Sequence, residues 1–417
     1  MHSLIPIALH PRIRHSCIMS AEPPVIEPCP DGLTTQQTAL LTSEYEVLRL
    51  VLSHLPCSRL HSARAVCRAW RDVADIILKK RRLASWQPPL WDTETVPAGE
   101  PPAEAASRLV RRLLERCYSE PAVALFAQSL KGSAGRRRQV PRIEPLLPPG
   151  CAAAGVSSLS GCVATPAAGA PLEEQAGDRL GVLLIPRRPG AQVGLCLVRC
   201  RSPATVEQVR PQLEDGAWDR LRGALVFFSS RRGMHTASAL ARLIHSEFGG
   251  TVALAGGWVD LLSPRAPADA ALLVYFSGPG VRGASAVVDE REGGTRPPLD
   301  TAGAAQMLAD LRYPAADTIG FMSACCGRGG YAFVPGFEAA EFARVVPDVP
   351  LLGVFVNGEL GAMTVGGKKH RFPTDPDDPM IMSYTTLFMV VNFCGEDARE
   401  DDKSRGDRNG DRAVTRN

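Results

Sequence analysis

The chain has 417 residues, 45% of them hydrophobic and 22% charged, with a formal net charge of +3. Such a composition belongs to a folded globular protein with room for two or three domains. It excludes a strongly basic nucleic-acid face, and no apolar run approaches the roughly 20 residues that span a bilayer. Nucleic acid and membrane are therefore not expected as partners. The densest basic run, Arg136-Arg137-Arg138, reads as a solvated loop.

Taken in order, residues 1–40 hold Pro6, Pro11, Pro23, Pro24, Pro28 and Pro30, which break any periodicity, so a disordered leader is expected. The apolar run at 4–9 is too short for a secretory signal core and contains Pro6. Without such a signal the twelve cysteines read as mostly free, buried thiols of a reducing compartment. Next, Val47, Leu48, Val51, Leu52 and Leu55 recur at helical spacing, and Leu55-Pro56 ends the helix by removing a backbone donor. Two short helices follow, one through Leu60 and one carrying Val66, Cys67 and Trp70. The latter runs on through Ile76, Ile77 and Leu78 into Lys79-Lys80-Arg81-Arg82, cations that suit a helix C-terminus. So small a piece lacks apolar residues for a core of its own and is expected to bury its faces against a partner.

Residues 87–102, beside Trp86 and with Trp91 among prolines, read as a linker. From 103 to 394 strands and helices alternate between Gly/Pro turns. Helices are expected at Ala105–Tyr118, His235–Phe248, Ala304–Leu311 and Phe337–Val345. Strands are expected at Pro121–Phe126, Cys162–Val163, Leu180–Ile185, Val193–Val198, Ala224–Phe228, Val252–Gly257, Ala271–Phe276, Ala284–Val288, Thr318–Ser323 and Leu351–Val356. A Pro-rich basic loop fills 132–150. The fold class is α+β (or α/β), with a small N-terminal three-helix piece, a large mixed strand/helix domain and disordered termini. The tail after 395 is polar and matches no known pattern.

Several short motifs carry chemistry in other settings. Gly278, Gly280 and Gly283 spell G-x-G-x-x-G after a strand, but a second strand follows where a phosphate-binding helix would begin, so a hairpin turn is expected. The Gly327–Gly330 loop reads either as a tight turn or as a cradle of backbone N–H groups. Cys325-Cys326 are the most reactive-looking thiols, and Arg328 could lower a thiol pKa. A cysteine enzyme would also need a base, and His235, His245 and His370 stand in no recognisable context. Cys196 and Cys200 lack a second pair at zinc spacing. No cofactor, no metal and no catalytic residue is expected. Asn357-Gly358-Glu359 is a turn by propensity and a candidate functional loop.

Two resemblances organise these pieces. Leu48, Val51, Leu52, Leu55-Pro56, Leu60 and Val66-Cys67-Arg68-Ala69-Trp70 resemble an F-box, over a span set at 43–86. The departure is at Ser43–Glu46, which stand where a Leu-Pro often opens the motif. The resemblance implies docking to the Skp adaptor of a cullin-type ubiquitin ligase through Leu48, Val51, Leu52, Leu55, Pro56, Leu60, Val66, Cys67 and Trp70. Further on, TIGFMSACCGRGG at 318–330 and VPLLGVFVNGELG at 349–361 look like the C-terminal half of a FIST domain. Gly249-Gly250, residues 254–257 and residues 274–278 look like its N-terminal half, with the halves divided at 300/301.

Together these imply a non-catalytic substrate-recognition subunit of a Skp–cullin–F-box E3 ligase. Its protein targets would be degraded and would include lysine demethylases and transcription regulators, met in nucleus and cytoplasm. Target or ligand recognition would fall on Cys325, Cys326, Arg328, Asn357 and Glu359. The alternative is a small-ligand-sensing FIST protein in intracellular signalling. On this reading residues 103–394 hold their own core and fold alone.

Overall fold

A computed structural model describes residues 45–84, 87–97, 99–130, 141–166, 172–174, 178–288, 301–329, 336–365 and 380–393. The expected leader, the Arg136–Arg138 run, Gly330, His370 and the polar tail lie outside the described residues.

Three helices open the described chain: α1 (Tyr45–Leu52), α2 (Cys57–Ala63) and α3 (Arg68–Ala84). Each inward stripe is apolar, with Leu48 and Leu52 on α1, Leu60 on α2, and Val73, Ile77 and Leu78 on α3. These stripes do not close on themselves. They join one core with Leu109, Val110 and Leu113 of α4 (Pro102–Glu115) and with Phe126, Val182 and Leu184 of a β-sheet. The partner that a short helical piece needs is thus supplied first by its own chain.

The proposed linker is corrected accordingly. Within 87–102, residues Leu90–Thr95 form an edge strand paired antiparallel with Arg179–Pro186, and Leu90 and Val96 are buried. The five-stranded sheet runs in the order Leu90–Thr95, Arg179–Pro186, Pro121–Ser129, Ala152–Ser158, Leu261–Ser263. The strand at Ala152–Ser158 was not expected, because small residues carry little strand propensity. It pairs in parallel with Pro121–Ser129, and Gly155 leaves room for Phe126 of that strand, where a Cβ would stand 2.2 Å from the ring carbons.

A four-stranded sheet follows the order Gln192–Val198, Ala271–Ser277, Leu221–Phe228, Ala253–Trp258. A six-stranded sheet follows Arg282–Val288, Thr386–Asn392, Thr318–Cys325, Leu351–Val356, Cys162–Ala164, Leu172–Glu174. That last sheet draws strands from both sides of residue 300, so the expected division at 300/301 does not separate two cores. Thr386–Asn392 is a further missed strand, fully buried and paired on both sides. The Gly278–Gly283 turn is not a hairpin either: its flanking strands, Ala271–Ser277 and Arg282–Val288, lie in different sheets. No phosphate-binding helix follows it.

Two strand–helix–strand units place the loops of interest. Leu221–Phe228 and Ala253–Trp258 pair in parallel across the helix Arg231–Phe248. Thr318–Cys325 and Leu351–Val356 pair in parallel across the helix Phe337–Val345. The carboxyl ends of parallel strands are where α/β sheets present ligand and partner loops. An apolar cluster built from all three sheets, including Leu225, Phe276, Phe321, Val354 and Met389, locks these units together.

Candidate functional site

Two surfaces stand out. On α1, Val47, Leu50 and Val51 recur at i, i+3, i+4 and face away from the buried Leu48 and Leu52. Leu50 is 63% and Val51 47% exposed, and Val66, in the turn before α3, is 61% exposed. Cys67 and Ile76 are exposed as well. Single exposed aliphatics are ordinary, but a stripe of them along one short helix marks a contact surface.

The nine expected docking residues therefore divide. Val51, Val66 and Cys67 are exposed; Leu55, Pro56 and Trp70 are half-buried, and Leu55 and Trp70 pack on the internal core. Leu48, Leu52 and Leu60 are sealed inside the chain and cannot meet a partner, which corrects their assignment. Val47, Leu50 and Ile76 were missed. Apolar residues occupy most of the circumference of α1, so periodicity alone does not say which face turns inward.

Polar contacts tie the helices to the large domain. Arg81, at the end of α3, is buried, and its guanidinium donates to the carbonyls of Ser53, Leu55 and Tyr118 at 2.8, 2.9 and 2.8 Å. Burial lowers its pKa. Glu120 stands where the large domain's first full strand begins, and it contacts His61 of α2 at 3.1 Å and Arg82 of α3. Burial alone would raise the Glu120 carboxyl, but His61 and Arg82 hold it at about 2.

The second surface lies where the parallel strands Thr318–Cys325 and Leu351–Val356 end. Cys326 N–H donates to the Val356 carbonyl at 2.8 Å, and Asn357 N–H to the Trp258 carbonyl at 2.9 Å. The Cys326 thiol lies 3.8 Å from Asn357 Oδ1. Cys326 is half-buried and Asn357 exposed, and the exposed Tyr384 stands against Gly327. Tyr384 was not anticipated. It sits at φ 56°, an uncommon backbone state for a bulky residue, held by Arg328 Nη1 donating to its carbonyl at 2.8 Å.

Beneath this surface the remaining candidates are interior. Arg328 is buried and pairs with the buried Glu338 at 2.8 Å, which also accepts from Thr386 Oγ1 at 3.0 Å. The expectation that Arg328 lowers a thiol pKa is corrected: its guanidinium is committed to Glu338 and Tyr384, and burial pushes the Cys325 thiol up to about 11. Glu359 is also buried, its Oε2 accepting from Thr385 Oγ1 at 2.9 Å and Thr385 N–H at 3.3 Å. Its main chain exchanges two hydrogen bonds with Met382, at 3.1 and 2.7 Å, so it is a node of the loop cluster. Arg328 and Glu359 therefore shape the surface from below and do not line it.

Burial raises the Glu359 carboxyl to about 7, the Thr385 hydrogen bonds pulling the other way. Folding therefore takes up a proton between the ordinary carboxylate range and about 7, and stability falls as pH rises through that window. Glu359→Gln is expected to be more stable than the parent by roughly 2–3 kcal/mol above pH ~7, since each pK unit is worth about 1.4 kcal/mol. The advantage should shrink toward zero near pH ~4.5. Urea unfolding across that range reads it, and a pH-independent difference would show that Glu359 is not buried as a neutral acid.

Among solved structures, a cyanuric acid hydrolase and the one from A. caulinodans each cover 74% of this chain and all of their own, at 12% and 9% identity. Their TM-score of 0.34 is too low to carry an argument. The N-terminal helices match the F-box-like family model over residues 45–84. F-box only protein 22 of Homo sapiens is 29% identical over 392 residues, covering 86% of this chain and 95% of that protein. That of Pongo abelii is 29% identical over 400 residues, with the same coverage. With an F-box-like segment at its front, the chain is similar to F-box only protein 22 over 86% of its length.

Proposed function

We propose that this protein is the substrate-recognition subunit of a Skp–cullin–F-box ubiquitin ligase and that it catalyses no step itself. The observation that carries the reading is the exposed apolar stripe Val47, Leu50 and Val51 on an F-box-like helix, extended by Val66 and Cys67. The Skp adaptor is its occupant, and the cullin joins through Skp. The large domain, read as a FIST domain, then holds a protein target at the surface formed by Cys326, Asn357 and Tyr384. A tethered target lysine sees a high effective concentration of the ubiquitin thioester, so proximity is the whole of the chemistry. A non-catalytic role fits a Cys325 thiol that burial keeps protonated. Targets among transcription regulators and lysine demethylases, in nucleus and cytoplasm, extend the proposal on the strength of the resemblance alone.

The test is co-purification of Skp and cullin with the tagged full chain, beside a Leu50→Asp, Val51→Asp variant. Both positions are exposed, so the variant keeps the parent's melting temperature. Burying two carboxylates in an apolar interface is expected to weaken Skp binding by about 2–4 kcal/mol, the range of interface hot spots. Unchanged Skp affinity in a folded variant would remove this face from the interface. Absence of Skp from the parent pull-down would end the ligase reading.

A further inference from the structure

Cys57 opens α2, and Cys117 follows the end of α4. The first belongs to the F-box-like helices and the second to the large domain. Both side chains are fully buried in the core that joins these two parts. Cys57 N–H donates to the Cys117 carbonyl at 2.7 Å, a main-chain contact that sets their Cα atoms within the ~4.4–6.8 Å that a disulfide tolerates. The Cys57 side chain acts on the Cys117 thiol, raising its pKa, and the Cys117 thiol lies 3.0 Å from the Ser119 carbonyl oxygen. Among the described cysteines, no other pair is joined by a main-chain hydrogen bond across this seam.

We propose that Cys57 and Cys117 are a redox site: oxidation joins them in a disulfide that locks the F-box-like helices to the large domain. The oxidant is a hydroperoxide. One thiolate sulfur attacks the peroxide oxygen, giving a sulfenic acid and releasing water. The second thiol's sulfur displaces the hydroxyl as a second water and forms the S–S bond. Two thiols lose two electrons and two protons, and one hydrogen peroxide takes them up as two waters.

The neighbouring Cys57 side chain, and after it burial, raise the Cys117 thiol, so Cys117 is inert at rest. Oxidation follows transient opening of the seam, and closing the bond then holds the seam shut. A cross-link over a loop of roughly sixty residues removes much of the unfolded chain's freedom. In a ligase receptor it would fix the angle between adaptor and target, but the chemistry does not depend on Skp binding.

Cys151 is the natural competitor, because it is half-buried and close enough to Cys57 and Arg187 to feel both. The experiment treats the full chain with hydrogen peroxide, blocks remaining thiols with an alkylating reagent and maps cross-linked peptides by mass spectrometry without reductant. A Cys57–Cys117 peptide is expected, together with a rise in melting temperature of roughly 5–10 °C that dithiothreitol reverses. Cys57→Ala and Cys117→Ala should each lose the rise, while Cys151→Ser keeps it. A peptide joining Cys151 to either residue would overturn the pairing, and full alkylation of Cys57 and Cys117 after peroxide would overturn the site. The peptide map uses the parent chain and so stands even where an alanine variant folds poorly.

Discussion

A fragment of residues 103–394, with everything before it removed, is expected to lose cooperative folding. The sequence suggested the opposite, since this stretch alternates strands and helices and contains most of the apolar residues. The structure shows what the cut removes. The strand Leu90–Thr95 covers the edge of Arg179–Pro186 with six paired residues. Leu90 and Val96 are buried in the core at that sheet, and α1 to α3 share this core with α4. Arg188 loses the Gln87 carbonyl that its Nη2 donates to at 3.0 Å. Two buried aliphatic side chains alone are worth about 3–6 kcal/mol. The bare sheet edge and the uncovered core bring the loss to the order of 5 kcal/mol or more, comparable to the whole stability of a typical domain. Circular dichroism and urea unfolding of the fragment read this directly. A cooperative transition matching that of the full chain would show that the seam is a contact between two independent cores.

Arg328→Met is expected to destabilise the chain by about 3–5 kcal/mol, the usual cost of stranding one partner of a buried ion pair. Glu338 is fully buried, and without the guanidinium the partner its carboxylate keeps among the described residues is the Thr386 hydroxyl. Tyr384 at the same time loses the donor to its carbonyl, so the surface it forms with Cys326 and Asn357 should loosen. The double variant Arg328→Met, Glu338→Leu should cost less than Arg328→Met alone, because it removes the stranded charge along with its partner. Urea unfolding of the two single variants and the double one closes the cycle. Additive single costs would show that the pair is not coupled, and a loss below about 1 kcal/mol would mean water reaches Glu338.

Both expectations concern parts of the fold that were unequally legible. The three short helices were readable because helix periodicity and the Leu55-Pro56 stop are settled by residues within a turn or two. Most strands of the large domain were readable for the same reason, as continuous apolar runs between turn residues. Ala152–Ser158 was not, since its small residues carry little strand propensity and its strand state comes from pairing with Pro121–Ser129. Leu90–Thr95 was hidden by the flanking Pro88, Pro89 and Pro97 and by its own polar positions, and it is a strand only because Arg179–Pro186 offers an edge. Thr386–Asn392, by contrast, is a plain apolar run that could have been found.

The candidate sites divide along the same line. The sequence by itself determined that an F-box-like motif stands before a large mixed domain, and that loops at Cys325–Gly329 and Asn357–Glu359 follow strands. These are local facts of spacing and turn chemistry. Only the tertiary structure decided which side of α1 faces water, that Arg328 and Glu359 are interior, and that the F-box-like helices share a core with the sheet behind them. Each of those depends on groups far apart in the chain, such as Arg81 with the Ser53 carbonyl, Arg328 with Tyr384, and Cys57 with Cys117. Side-chain charge and size are written in the sequence, but solvent exposure is a property of the packed whole, and exposure separates a docking residue from a core one.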